Sequence, residues 1–407
     1  MSKVKYVVLQ DLSNSNDNEQ DLAVLSSGKQ DDKATDLAVY IDDMTADQAA
    51  KEAANPKTLQ IAREMPLALI EPSAGSSVVE SNVTGGSTWG LESIGAHNTK
   101  LDGTGITVAI LDTGIDRSHE TFSRSTTKIV EKNFTNGDPI DTNGHGTHCA
   151  GTIFGTDVEH NGQALKIGVA NGIEKALIGK VIGNSAGTGA LMSAMTWARD
   201  NGAHVVSMSL GFNHVRLLEN LEQQFPKPKA VSQLLAIYLE NMRLFDTLTQ
   251  HMAIQASGSA CPIIIAASGN ESQANGGTAA YRINSSSPST AMHVLSVGAL
   301  GRKPDKSLYV APFSNTNVDL VAPGVNVLSA ALDGSLASLN GTSMACPHVA
   351  GLAALYWEEV HELDLPPNAE NVRALLLGRA TRTLIQSVHD KNDIGLGLPL
   401  APETDKY

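Results

Sequence analysis

Cysteine is scarce in this chain: Cys149, Cys261 and Cys346 are the three in 407 residues. That number cannot make a disulfide framework, and the spacing is not that of a structural zinc site. Long apolar runs are missing as well. None reaches the roughly 18 to 20 residues a membrane span requires, so no membrane partner is expected. The opening stretch, residues 1–11, has basic residues but too short an apolar run for a secretory signal. A cytoplasmic location is therefore favoured, with secretion by another route left open. Basic residues are outnumbered, 29 against 43 acidic ones, for a formal charge of −14. This argues against nucleic acid as a partner and says little else. Aromatics make up only 4%.

What remains is rich in glycine (36 residues) and 42% hydrophobic, the composition of a Gly/Ala-rich α/β protein. The length suits one large domain with a small one. Residues 3–10 and 37–41 read as strands, separated by a polar, aperiodic stretch. Thr45-Ala46-Asp47-Gln48 has capping-box spacing ahead of an Ala-rich helix, and 59–70 mixes strand and helix signals. These make an N-terminal module, residues 1–75, followed by a linker, 76–87, and a main domain, 88–407. In the main domain short apolar strands are expected at 106–111, 176–181, 204–210, 262–267, 294–297 and 320–322. Helices are expected at 145–154, 189–201, 230–244 and 343–360. The alternation indicates a largely parallel sheet covered on both faces, with the ligand site at the strand C-termini.

Four stretches carry chemistry. Val108-Ala109-Ile110-Leu111-Asp112 is a buried strand ending in a carboxylate that could orient an imidazole, although an Asp after a strand is common. In Gly144-His145-Gly146-Thr147-His148 small residues let a helix start pack tightly while His145 projects. His145 and His148 could bind a metal on one helical face, but no Glu stands where a His-Glu-x-x-His site would need it. Asn270 follows Ile265-Ala266-Ala267-Ser268-Gly269 and could donate to an oxyanion, or could simply occupy a turn. In Asn340-Gly341-Thr342-Ser343-Met344-Ala345-Cys346-Pro347-His348, a loop delivers Ser343 to the first turn of an apolar helix. There the hydroxyl would have the positive end of a helix dipole behind it, as a nucleophile needs; a plain N-cap is the alternative.

Asp112, His145 and Ser343 stand in the order Asp…His…Ser. On these motifs the chain resembles the subtilisin-like serine proteases, the subtilases, over about residues 88–400. The resemblance implies a three-layer α/β/α fold around a mostly parallel sheet, with a small α+β prodomain. It implies Ser343 as nucleophile, His145 as general base and acid, Asp112 as its orienter and Asn270 in the oxyanion hole. It assigns Ser209-Leu210-Gly211 to the substrate backbone and Ala267-Ser268-Gly269 to the pocket for the side chain before the cut, with Gly187-Thr188-Gly189 as the opposing edge. No cofactor is implied for the chemistry. The family's frequent calcium site near the acid motif is not supported, because His119-Glu120-Thr121 lacks the usual aspartate; the metal question stays open. Cys149, beside His145, reads as a small buried hydrophobe or as a mercurial-sensitive thiol.

The expected activity is that of an endopeptidase on polypeptide substrates. A dedicated processing protease or peptide macrocyclase, or an inactive peptide-binding scaffold, are the alternatives. The N-terminal module is similar to subtilase propeptides, which inhibit the enzyme in cis and are removed by self-cleavage; a permanent accessory domain is the other reading. Processing is expected between Ser73 and Ser87. A helix or helical pair is expected in the fifty residues between Gly211 and Pro262, which could restrict access, bind a partner or simply add packing.

Overall fold

A computed structural model describes residues 3–13, 36–73, 83–84, 86–183, 187–255, 261–275, 277–363, 365–387 and 389–403. The N-terminal part is a three-stranded antiparallel sheet with β1 (Val4–Asp11) between β2 (Leu37–Met44) and β3 (Thr58–Arg63). Helix α1 (Ala46–Ala53) lies on it. The Thr45 hydroxyl accepts from the Gln48 amide while the Gln48 side chain takes the Thr45 amide, so the expected capping box forms. Val8, Met44 and Ala49 make a small core on the helix side. On the opposite face Val7, Leu9, Leu37 and Ala62 join the core of the main domain. The mixed stretch 59–70 resolves into β3 and a short strand, β4 (Leu67–Leu69).

The main sheet has eight strands. In chain order these are β5 (Thr107–Asp112), β6 (Lys128–Asn133), β7 (Lys175–Lys180), β8 (Val205–Met208), then β10 (Ile263–Ala267), β11 (Val294–Arg302), β12 (Leu308–Val310) and β13 (Leu320–Pro323); β9 (Leu210–Phe212) lies outside it. Across the sheet the order is β12-β11-β10-β8-β5-β7-β6, with β13 beside β11, all parallel except the β11–β12 pair. Along β5 the side chains alternate: Val108 and Ile110 enter one core, Ala109 and Leu111 the other. Both faces being buried is why these strands read as continuous apolar runs. The expected α/β architecture, with its small antiparallel N-terminal sheet, is present.

Helices α2 (His145–Phe154) and α6 (Thr342–Glu362) pack on the first face, and α3 (Thr188–Asp200) and α5 (Lys227–Gln255) on the second. α5 follows α4 (His214–Glu222), so the insertion is a helical pair, and α5 extends well beyond 230–244 at both ends. The expected strand 204–210 breaks at Ser209. β8 stays in the sheet, whereas β9 leaves it to pair antiparallel with β4. Strand β6 is absent from the expectations because its sequence, KIVEKN, is polar. It is an edge strand with half of its residues exposed or nearly so, and charged edges discourage further pairing.

Candidate active site

Strand β5 ends on Asp112, which is 1% exposed. Its Oδ1 accepts from the Thr113 amide and from His145 Nδ1, both at 2.8 Å. His145 opens α2, and its position is fixed by how that helix starts. Gly144 takes φ 90°, a left-handed conformation that glycine adopts without strain. Asp141 gathers the amides of Asn143 and Gly144 on Oδ1, and both the amide and hydroxyl of Thr147 on Oδ2. Burial works against the charge of Asp141, but those donors together hold its carboxyl below the usual range. A Cβ on Gly146 would lie 2.2 Å from the Gly114 carbonyl oxygen, so only glycine lets the helix start approach the acid loop this closely.

Burial also opposes protonation of His145. The Asp112 charge and hydrogen bond outweigh it, with smaller help from Glu71 and Asp141, and raise its pKa above the ordinary histidine value. Its Nε2 has no hydrogen-bond partner among the described residues, and the Ser343 hydroxyl is turned to the Ile70 carbonyl instead. His148 turns elsewhere: its Nε2 donates to the carbonyls of Val327 and Ala337, and burial pushes its pKa down to about 3. The two histidines therefore do not share a metal face. His119 uses Nδ1 to accept the Thr121 amide and Nε2 on the Ser335 carbonyl. An imidazole so engaged is itself no ligand for a hard cation.

Ser343 lies in the first turn of α6 and is fully buried. Asn270 follows the end of β10. Its Oδ1 accepts the Thr342 amide and hydroxyl, both at 2.9 Å, which leaves Nδ2 as the end that can donate to a carbonyl in the cleft. Thr342 and Asp141 therefore orient the residues read from the motifs. Neither was assigned a role in the sequence reading, although Asp-x-Asn-Gly is a visible turn signal for the latter. Ser209 Oγ and Cys149 Sγ both donate to the Ser343 carbonyl. Burial raises the Cys149 thiol pKa well above normal, so it is a packed, inert thiol.

The cleft holds the chain's own residues 65–73. The Met65 carbonyl accepts from the Thr188 amide, and Pro66 bridges to Gly187. β4 pairs with β9 in the register Leu67–Phe212, Ala68–Gly211, Leu69–Leu210. The Ile70 amide donates to the Ser209 carbonyl. Ser343 Oγ donates to the Ile70 carbonyl at 3.0 Å, while Asn270 Nδ2 donates to the next carbonyl, Glu71, at 2.8 Å. The Ser73 amide reaches the Asn340 carbonyl. Thus Ser343, Asn270, Ser209, Leu210 and Gly211 all meet one peptide segment, whereas the Asp112–His145 pair reaches it only through the charge of Glu71. Ala267 and Ser268 are buried behind it, with the Ser268 carbonyl held by Asn315. Gly269 takes φ 109° and donates its amide to the Thr342 hydroxyl.

Comparison with known proteins gives a consistent result. The subtilase (Peptidase S8) family profile matches residues 103–397. The chain is 35% identical over 277 residues to the M-protease of Shouchella clausii, covering 66% of this chain and 58% of that protein. Subtilisin Savinase of Lederbergia lenta is also 35% identical over 277 residues, with 82% of its length covered. Fervidolysin from Fervidobacterium pennivorans, described as a keratinolytic enzyme related to subtilisin, shares the fold. Its TM-score is 0.64 at 21% identity, over 98% of this chain and 60% of that one. The chain spans little more than half the length of the M-protease it matches, and it belongs to the subtilase family.

Proposed function

We propose that the chain is an endopeptidase for extended polypeptide, made as a self-processing zymogen. The observation that carries this reading is a peptide carbonyl, that of Ile70, on the Ser343 hydroxyl in a site where Asp112 already holds His145. In the reaction Ser343 Oγ attacks the scissile carbonyl carbon and passes its proton to His145 Nε2. The oxyanion is received by Asn270 Nδ2 and the Ser343 amide. Collapse breaks the C–N bond as His145 protonates the leaving amine, and water then releases the acyl group by the same route. Asp112 keeps the Nδ1 proton in place and stabilises the imidazolium.

The N-terminal module acts as the inhibitor, its tail occupying the strand edge that a substrate would use. It survives there because the two halves of the machinery are spread over two residues, with the nucleophile on the Ile70 carbonyl and the oxyanion donor on that of Glu71. For Ile70 to react, its oxygen must replace that of Glu71 at Asn270. A shift of one carbonyl makes Ile70–Glu71 the bond cut first. This lies ahead of the linker window starting at Ser73, of which residues 74–82 and 85 fall outside the described residues.

Fluorophosphonate labelling of the incubated protein, followed by N-terminal sequencing of the labelled species, tests the reading. Label on Ser343 and a new start at Glu71 are expected; no label on any form would overturn the protease reading. Asn270→Ala is expected to lower kcat by about 10²–10³ with little change in KM, a magnitude known from the corresponding donor in subtilisin. Steady-state kinetics on a chromogenic peptide checks this.

How long inhibition lasts depends on the module's grip. The Arg63 guanidinium forks onto the Glu240 carboxylate at 2.6 and 3.0 Å and reaches Gln233, and the Arg63 carbonyl accepts from Asn241. With these side chains 19% and 32% exposed, the pair is worth less than a fully desolvated one. Arg63→Ala should shorten the lag before full activity about tenfold, and Arg63→Glu with Glu240→Arg should restore part of it. Progress curves of the full chain give the answer; equal lags in all three would remove the ion pair from the account.

A further inference from the structure

Strand β9 is the edge on which extended peptide is read, yet it lies outside the main sheet, and its one strand partner among the described residues is β4 of the module. Once the tail leaves, something else must hold it in place. The Phe212 amide donates to the Ser287 carbonyl at 3.0 Å, and Ser287 is fully buried. Ser287 in turn is gripped by the insertion. Tyr238 Oη on α5 lies 3.1 Å from Ser287 Oγ and accepts the Ser287 amide at 3.4 Å. Ser287 Oγ also contacts Met242 Sδ on the same helix and Thr290 Oγ1. Farther along, α5 fastens the segment again. Asp246 Oδ1 accepts the Met292 amide at 2.9 Å, and Thr249 Oγ1 donates to the Met292 carbonyl at 3.1 Å.

We propose that Tyr238 is a positioning residue for substrate: through Ser287 it fixes the Phe212 amide, and with it the register of Leu210 and Gly211 toward an incoming peptide. The inserted helix is then a splint behind the substrate edge, and its role outlasts the module it also grips. This inference rests on the endopeptidase reading. It touches neither the nucleophile nor the base, so it acts on the binding of residues that pair with β9. By the register of the tail, those are the three residues preceding the one whose carbonyl is cut.

The test compares two substrates on the self-processed full chain, with active sites counted by fluorophosphonate. One is a tetrapeptide amide long enough to pair with β9; the other is a single-residue ester that cannot reach it. Tyr238→Phe deletes the hydroxyl and keeps the ring. It is expected to raise KM for the tetrapeptide about fivefold with kcat unchanged, and to leave the ester unaffected. Ser287→Ala should do the same, and the double variant should be no worse than either single one. Equal effects on both substrates, or none, would overturn the proposal. A wild type that cleaves neither substrate would count against the protease reading instead. The positioning claim is then read in the unprocessed Ser343→Ala chain by amide exchange of the peptide spanning 209–213. Tyr238→Phe should accelerate that exchange several-fold; an unchanged rate overturns the proposal.

Discussion

Turnover of a chromogenic peptide by Ser343→Ala should fall by on the order of 10⁶, and its intact mass should stay that of the uncut chain through prolonged incubation. The magnitude is the one known for the nucleophile of subtilisin itself, a member of the same family. The physical ground is that alanine removes the one atom able to form the acyl bond and little else. Ser343 is buried in the first turn of α6, and its side chain makes one hydrogen bond among the described residues, to the Ile70 carbonyl. Losing that bond costs the tail about 1 kcal/mol, far less than would dislodge a strand paired along β9 and anchored at Arg63. The variant therefore folds and keeps its module, so a loss of activity cannot be confused with unfolding. Oxyanion donors and peptide binding remain, which leaves a residual rate above the uncatalysed one. A variant that still trims its own N-terminus would show that another group attacks.

The second large effect belongs to Asp112→Asn, with kcat expected to fall by about 10⁴ while KM changes little. The Thr113 amide and His145 Nδ1 share Oδ1, so an asparagine keeps its oxygen there and places its NH₂ at the Oδ2 position, away from the imidazole. His145 keeps its Nδ1 donor bond but loses the carboxylate charge that stabilises the imidazolium formed when Nε2 takes the Ser343 proton. The pH profile separates this from simple disorder. His145 works as a base only when neutral, so activity appears as pH rises through its pKa, which the Asp112 charge holds above the ordinary value against burial. Removing that charge leaves burial dominant. The acid limb of kcat/KM should consequently move to lower pH, measured from about pH 5 to about pH 9. An unmoved limb would mean that Asp112 does not set the charge state of His145. Glu71 adds to this rise while it sits in the cleft, by less than Asp112.

Much of this protein is legible in its residues because the chemistry is written locally. The helix His145–Phe154 falls where its small residues place it, and the Thr45–Gln48 box caps the helix it announces. Strands β5, β7, β8 and β10 are found within a residue or two, apart from the overrun at Ser209, because burial on both faces demands continuous apolar sequence. Strand β6 was not legible. At an edge, polar residues serve as well as apolar ones, and periodicity then carries no signal.

By itself the sequence determined which side chains could do chemistry and the order in which they come, since nucleophile, base, acid and oxyanion donor are each marked by the small residues packed around them. Only the tertiary structure decided what those groups touch: that the tail sets Ile70 on Ser343 and Glu71 on Asn270, that Arg63 meets Glu240, and that Tyr238 meets Ser287. The pairs are 273, 199, 177 and 49 residues apart, in the same order. Over such separations pairing is set by how whole elements stack rather than by local pattern. A single polar residue on a helix carries no mark of the partner it will face.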